Sequence, residues 1–86
     1  MIDHPVTLLR PKQAMERLGL PRTPFYDDVR NGLLPPLVKI GPRASAIPSN
    51  EVDAVISYRI AGKPNNEIKE LVKRLIDDRQ ELAGGA

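Results

Sequence analysis

Pro11-Lys12-Gln13-Ala14-Met15-Glu16-Arg17-Leu18-Gly19-Leu20-Pro21-Arg22-Thr23-Pro24-Phe25-Tyr26-Asp27-Asp28-Val29-Arg30-Asn31-Gly32 is the stretch that decides the fold. Residues 12–18 are a short helix-forming run, and Gly19 is placed to end it. Residues 19–23 form a turn that passes straight into a second helix over residues 24–32. Thr23 is expected to cap that helix with its hydroxyl, and Pro24 suits the first helical position, where no N–H is needed. Two short helices joined by a Gly-containing turn describe a DNA-binding helix-turn-helix.

On the C-terminal side, Leu33-Leu34-Pro35-Pro36 is a rigid connection. Residues 37–40 alternate as a strand does, with Val38 and Ile40 on one face and Lys39 on the other. Gly41-Pro42-Arg43-Ala44-Ser45 is turn-like and Ala46-Ile47-Pro48 returns, giving a small β-hairpin, or wing, with Arg43 near its tip. Ser49 and Asn50 are expected to cap a helix over residues 51–61, with Glu51 and Asp53 in its first turn, where the helix dipole favours acids. Val52, Val55, Ile56 and Ile60 give it an apolar stripe, and Gly62 ends it. Asn65 or Asn66 is expected to cap a last helix over residues 67–82, with Ile68, Leu71, Val72, Leu75, Ile76 and Leu82 on one face. Glu70 is spaced to pair with Lys73 and Arg74, and Arg79 falls inside the apolar stripe, where it marks an end to burial.

On the N-terminal side, Val6 to Leu9 is an apolar, extended lead-in. His4, the only histidine, reads as a solvated terminal residue, since one His cannot build a metal site. Eight prolines, at 11, 21, 24, 35, 36, 42, 48 and 64, fall at these boundaries and none interrupts an apolar stripe. A proline inside a helix costs about 3 kcal/mol, so their placement supports the segmentation.

Eighty-six residues make one small domain with a modest core. A composition 41% hydrophobic and 28% charged is that of a globular chain rather than a disordered one. No cysteine is present, which removes disulfides and thiolate chemistry and fits a reducing compartment. No apolar run approaches the roughly 20 residues that span a membrane, and no signal-peptide pattern opens the chain. Net charge is only +2, but it is unevenly distributed: residues 1–64 carry nine Lys or Arg against six Asp or Glu, and residues 65–86 carry four against five. The positive excess therefore lies with the helix-turn-helix.

Catalysis is not expected. There is no Cys nucleophile, no Ser-His-Asp set and no Gly-rich phosphate loop. The adjacent carboxylates Asp27-Asp28 and Asp77-Asp78 diverge by roughly 100° on a helix and do not converge on one atom. No cofactor and no metal are implied.

The second helix is the candidate site. Phe25 and Val29 are four apart and face the core with Met15 and Leu18, which leaves Thr23, Asp27, Arg30 and Asn31 on the opposite arc, flanked by Arg22 and Tyr26. In a major groove Arg30 can fork onto guanine, and Asn31 can reach adenine or cap the helix. Thr23 and Tyr26 suit phosphates. Asp27 repels phosphate but can accept from cytosine N4. Lys39 and Arg43 would add contacts from the wing. The plain alternative is a small helical protein with a solvated charged face.

The ordered set Leu8-Leu9-Arg10, residues 19–26, Asn31 to Pro35, Val38 to Ala44 and Ser49 to Ile56 resembles the AlpA-type regulators, over roughly residues 7–60. These are small MerR-like winged helix-turn-helix proteins of prophages and integrative elements, with relatives that act as excisionases, or recombination directionality factors. This chain departs from the family's usual pattern at Pro21 to Pro24, at Asp27 where a basic residue is favoured, and at Ile47 where an aromatic is.

The expected architecture is mainly α with a small β-hairpin: a winged helix-turn-helix over residues 1–62 and an added amphipathic helix over residues 63–86. The resemblance implies a bacterial cytoplasmic, nucleoid-associated protein that binds double-stranded DNA at an attachment site or promoter. It would promote excision by a partner integrase, or regulate transcription alone. The stripe Ile68, Leu71, Val72, Leu75 and Ile76 is expected to pack partly on the core and partly to self-associate, and a head-to-tail contact would build an open array on DNA. A protein-interaction adaptor acting through that stripe is the alternative from another class.

Overall fold

The computed structural model describes residues 6–84, with side chains through residue 81. His4 and the side chain of Leu82 lie outside it. The order of elements is β1 (Leu8–Leu9), α1 (Pro11–Leu18), α2 (Arg22–Arg30), β2 (Val38–Gly41), β3 (Ala44–Pro48), α3 (Ser49–Ile60) and α4 (Asn65–Gly84). The mainly helical fold with a small hairpin and a C-terminal helix is as expected. The lead-in is more than extended chain: Leu8 and Leu9 pair antiparallel with Pro48 and Ile47, so the hairpin is a three-stranded sheet in the order β1-β3-β2.

The helix starts differ from expectation, and in the same way three times. Thr23 does not cap α2; Pro21 is the cap residue, with φ −65° and ψ 170°, and its carbonyl accepts from the Phe25 N–H at 3.0 Å. Pro48 holds the same place for α3, with φ −61° and ψ 135°. At α4 the Ile68 N–H reaches the Pro64 carbonyl at 3.1 Å, so the helix begins directly after that proline. A proline ring fixes φ near the required value and leaves the carbonyl free to accept the first helical bond. The polar residues expected as caps therefore lie one or two positions inside their helices. Ser49 has a different partner: its hydroxyl accepts the Thr7 N–H at 2.9 Å, and its own N–H donates to the Thr7 carbonyl at 2.7 Å, extending the β1–β3 pairing. Asn65 accepts from Arg59 Nη1 at 3.2 Å.

Gly19 ends α1 as expected, while α2 ends at Arg30, two residues short of the expected Gly32, and α4 runs to Gly84 rather than to residue 82. At α2 the Leu33 N–H reaches the Asp28 carbonyl at 2.8 Å and the Gly32 N–H reaches Val29, with Gly32 at φ 78°. Gly19, at φ 68°, closes α1 with the same pair of bonds, from Gly19 to Glu16 and from Leu20 to Met15. This Schellman arrangement needs a left-handed residue, which glycine adopts without a Cβ clash.

One core draws on every element except β2. It contains Leu9, Ala14, Phe25, Leu33, Leu34, Ile47, Val52 and Val55, and it also contains Ile68, Leu71 and Val72 of α4. Leu75 and Ile76 are partly buried against it. Most of the α4 stripe thus packs on the chain's own core, and Leu75 and Ile76 keep part of their surface exposed. Ile60 differs in the opposite sense. The buried arc of α3 runs through Glu51, Val52 and Val55, and Ile60 lies about 140° around the helix from its centre; it is 82% exposed.

Arg79 is the last part-buried side chain among the described residues of α4, and it is held there as an ion-pair partner. Its Nε donates to Glu51 Oε2 at 2.8 Å, its Nη2 reaches Glu51 Oε1, and the same Nη2 donates to the Pro36 carbonyl at 2.9 Å. The Glu51 side chain is 4% exposed. This fork ties α4 to the start of α3 and to the connection before β2. Glu51 was expected to act on the helix dipole, but its direct partner is Arg79. Removing one member of a buried pair strands the other charge away from water. Arg79→Ala should therefore lower stability by about 3 kcal/mol in denaturant unfolding. Arg79→Met with Glu51→Met should recover most of that loss, and a single Arg79→Ala effect below about 1 kcal/mol would show the fork to be dispensable.

Candidate nucleic-acid interface

The connection between α1 and α2 is three residues, Gly19-Leu20-Pro21, and α2 follows at once. Phe25 is the only fully buried side chain of α2. Burying it contributes about 2–3 kcal/mol and anchors the helix by one point. Val29 and Tyr26 pack part-buried against the same core, as do Met15 and Leu18 of α1. The rest of α2 is turned to solvent: Arg22, Thr23, Arg30 and Asn31 are exposed, and Asp27 is half-buried. This is the arc read from the spacing of Phe25 and Val29.

Two contacts order the charged residues on this arc. The Arg22 guanidinium lies over the Tyr26 ring, 5.1 Å from its centroid, and the Tyr26 ring meets Phe25 edge-on at 5.0 Å. Tyr26 therefore transmits the anchoring of Phe25 to the cation at the start of the helix, through a cation–π contact. One turn further on, Arg30 Nη2 donates to Asp27 Oδ1 at 3.1 Å. The i,i+3 spacing of Asp27 and Arg30 announced this pair. Asp27 was assigned only to the groove, and the structure gives it a partner on its own helix.

The hairpin turns through Pro42-Arg43, with Gly41 opposite Ala44. Arg43 is exposed at this tip and Lys39 is exposed on β2, opposite Ser45. The expected separation of faces on β2 is not clean, since Ile40 is 43% exposed and a bulge falls between Lys39 and Gly41.

Ion pairing sorts the charges. Of the acids in residues 6–64, Asp27 pairs with Arg30, Asp28 with Arg59 at 3.8 Å, Asp53 with Arg17 at 3.6 Å, and Glu51 with Arg79. Glu16 alone among them has no cation within 4 Å, counting the described residues. Among those residues Arg10, Lys12, Arg22, Lys39 and Arg43 likewise have no carboxylate within that distance. Behind the helix-turn-helix lies a shallow crevice of about 270 Å³, lined by Leu18, Leu20, Leu34 and Val55 with the Asp28–Arg59 pair. Its two charges are engaged with each other.

Comparison with protein-family models, with curated proteins and with solved structures gave no match. Among the described residues no helix is long and apolar enough to cross a membrane.

Thr23 lies within α2 and its hydroxyl makes no capping bond. Thr23→Ala should therefore shift unfolding free energy by less than about 0.5 kcal/mol, where a true cap would cost about 1. A thermal or denaturant melt distinguishes the two values.

Proposed function

We propose that this chain is a DNA-binding protein of a mobile genetic element, an excisionase or AlpA-type regulator, with α2 as its recognition helix. The observation that carries this reading is the sorting of charge. Four of the acids in the winged part are engaged in ion pairs, while Arg22 on α2 and Lys39 and Arg43 on the hairpin are exposed with no carboxylate within 4 Å among the described residues. A protein that binds duplex DNA needs cations of this kind for phosphate oxygens. The short turn, the outward arc of α2 and the hairpin after it support the same reading.

In this proposal α2 enters the major groove. Arg30 and Asn31 read base edges, Thr23 and Tyr26 approach the backbone, and Arg22, Lys39 and Arg43 neutralise phosphates. Bond breaking belongs to a partner integrase bound at the same attachment site. Action at a promoter alone requires the same domain and differs only in the DNA bound. The adaptor alternative draws on the apolar stripe of α4, and the burial of Ile68, Leu71 and Val72 leaves it less surface, which favours the DNA-binding reading.

The test is duplex binding across a salt series, using attachment-site and promoter DNA of the encoding element beside random duplex. Arg22→Ala and Arg43→Ala should each weaken binding to all sequences alike and flatten the dependence of log K on log salt by about one. Parent-like binding by both variants at every salt concentration would reject this placement on DNA.

A further inference from the structure

We infer that Asp27 is a positioning residue, which aims the Arg30 guanidinium at a neutral base edge and turns it away from phosphate. This inference rests on the proposed role of α2 in binding DNA.

Arg30 Nη2 and Asp27 Oδ1 are 3.1 Å apart, and the side chains are 74% and 48% exposed. An exposed pair one helical turn apart adds little to stability. Its physical effect is on direction: a long side chain that would otherwise sample many rotamers is held beside a fixed carboxylate. A guanidinium carries five N–H donors, and Asp27 takes one. The remaining donors still include the two needed to fork onto O6 and N7 of guanine.

The carboxylate also discriminates between acceptors. A phosphate oxygen brought to Arg30 would set a second negative charge beside Asp27. The guanine acceptors are neutral and bring no such repulsion. Arg22 provides the internal contrast. It is held by the neutral Tyr26 ring and has no carboxylate within 4 Å among the described residues. The two arginines are eight residues apart, about 12 Å along the helix. One is left free for backbone phosphate and the other is screened from it, so a single helix carries one contact for affinity and one for sequence.

The full chain would first select duplexes from a random-sequence library. Parent, Asp27→Ala, Arg30→Ala and the double variant would then be titrated on the selected duplex and on random duplex over a salt series. Asp27→Ala should bind random duplex more tightly, steepen the salt dependence by about one contact and reduce discrimination about tenfold. The same substitution made on Arg30→Ala should change discrimination less than twofold, because there is nothing left to position. Asp27→Asn keeps an acceptor for Arg30 without the charge, and should retain more sequence preference than Asp27→Ala.

An equal effect of Asp27→Ala with and without Arg30 would overturn the inference and leave Asp27 as an independent repulsive charge. So would unchanged discrimination in Asp27→Ala, or no advantage of Asp27→Asn over it. Parent protein that binds duplex but selects no sequence overturns the positioning role and spares the DNA-binding one. Parent protein that binds no duplex at low salt overturns both.

Discussion

The fork between Arg79 and Glu51 is the constraint on which the rest of the structure depends. Glu51 lies at the start of α3, almost without solvent, and its charge is tolerable only because a guanidinium from α4 meets both carboxylate oxygens. The same guanidinium reaches the Pro36 carbonyl, just before the hairpin. Three parts of the chain distant in sequence are therefore fixed by one planar group, in a geometry that a lysine could not reproduce. Earlier on α4, Ile68, Leu71 and Val72 complete a core that the helix-turn-helix and hairpin fill only in part. The fourth helix is a structural member of the domain rather than an appendage to it.

That integration sets the limit of what could be read in advance. Elements of local origin were legible. Phe25 and Val29 four residues apart oriented α2, and Gly19 announced the end of α1. Hairpin and wing tip followed from turn chemistry around Pro42. Features that depend on residues far apart were not legible. Nothing local says that Arg79 answers Glu51, or that Leu8 and Leu9 join Pro48 and Ile47 in a third strand. The helix starts were misplaced for a third reason. A capping side chain and a proline both mark a helix start, the first by accepting an early N–H and the second by its fixed φ, and the sequence offered both at each of three sites. The backbone took the proline each time, which released Ser49 to bind β1 and Asn65 to meet Arg59.

Charge follows the same division. Summed over the chain it says little, since +2 is small for a nucleic-acid binder. Paired off in space it says more, because among the described residues the carboxylates of the winged part are largely engaged and Arg22, Lys39 and Arg43 are not. Asp27 is the instructive case. On a helical wheel it is a misplaced negative charge on a face otherwise suited to phosphate. Beside Arg30 it is part of a two-residue unit with its own geometry.

The distance along the chain between Glu51 and Arg79 also orders events in time. Translation delivers Glu51 28 residues ahead of its partner, and the α4 residues of the core emerge in between. Until they do, the nascent helix-turn-helix holds an acid that prefers water and an apolar surface with no cover. The winged portion thus gains little from being made first. Its folded form, and any surface that depends on α2 being held still, depends on α4 as well as on the segments made before it.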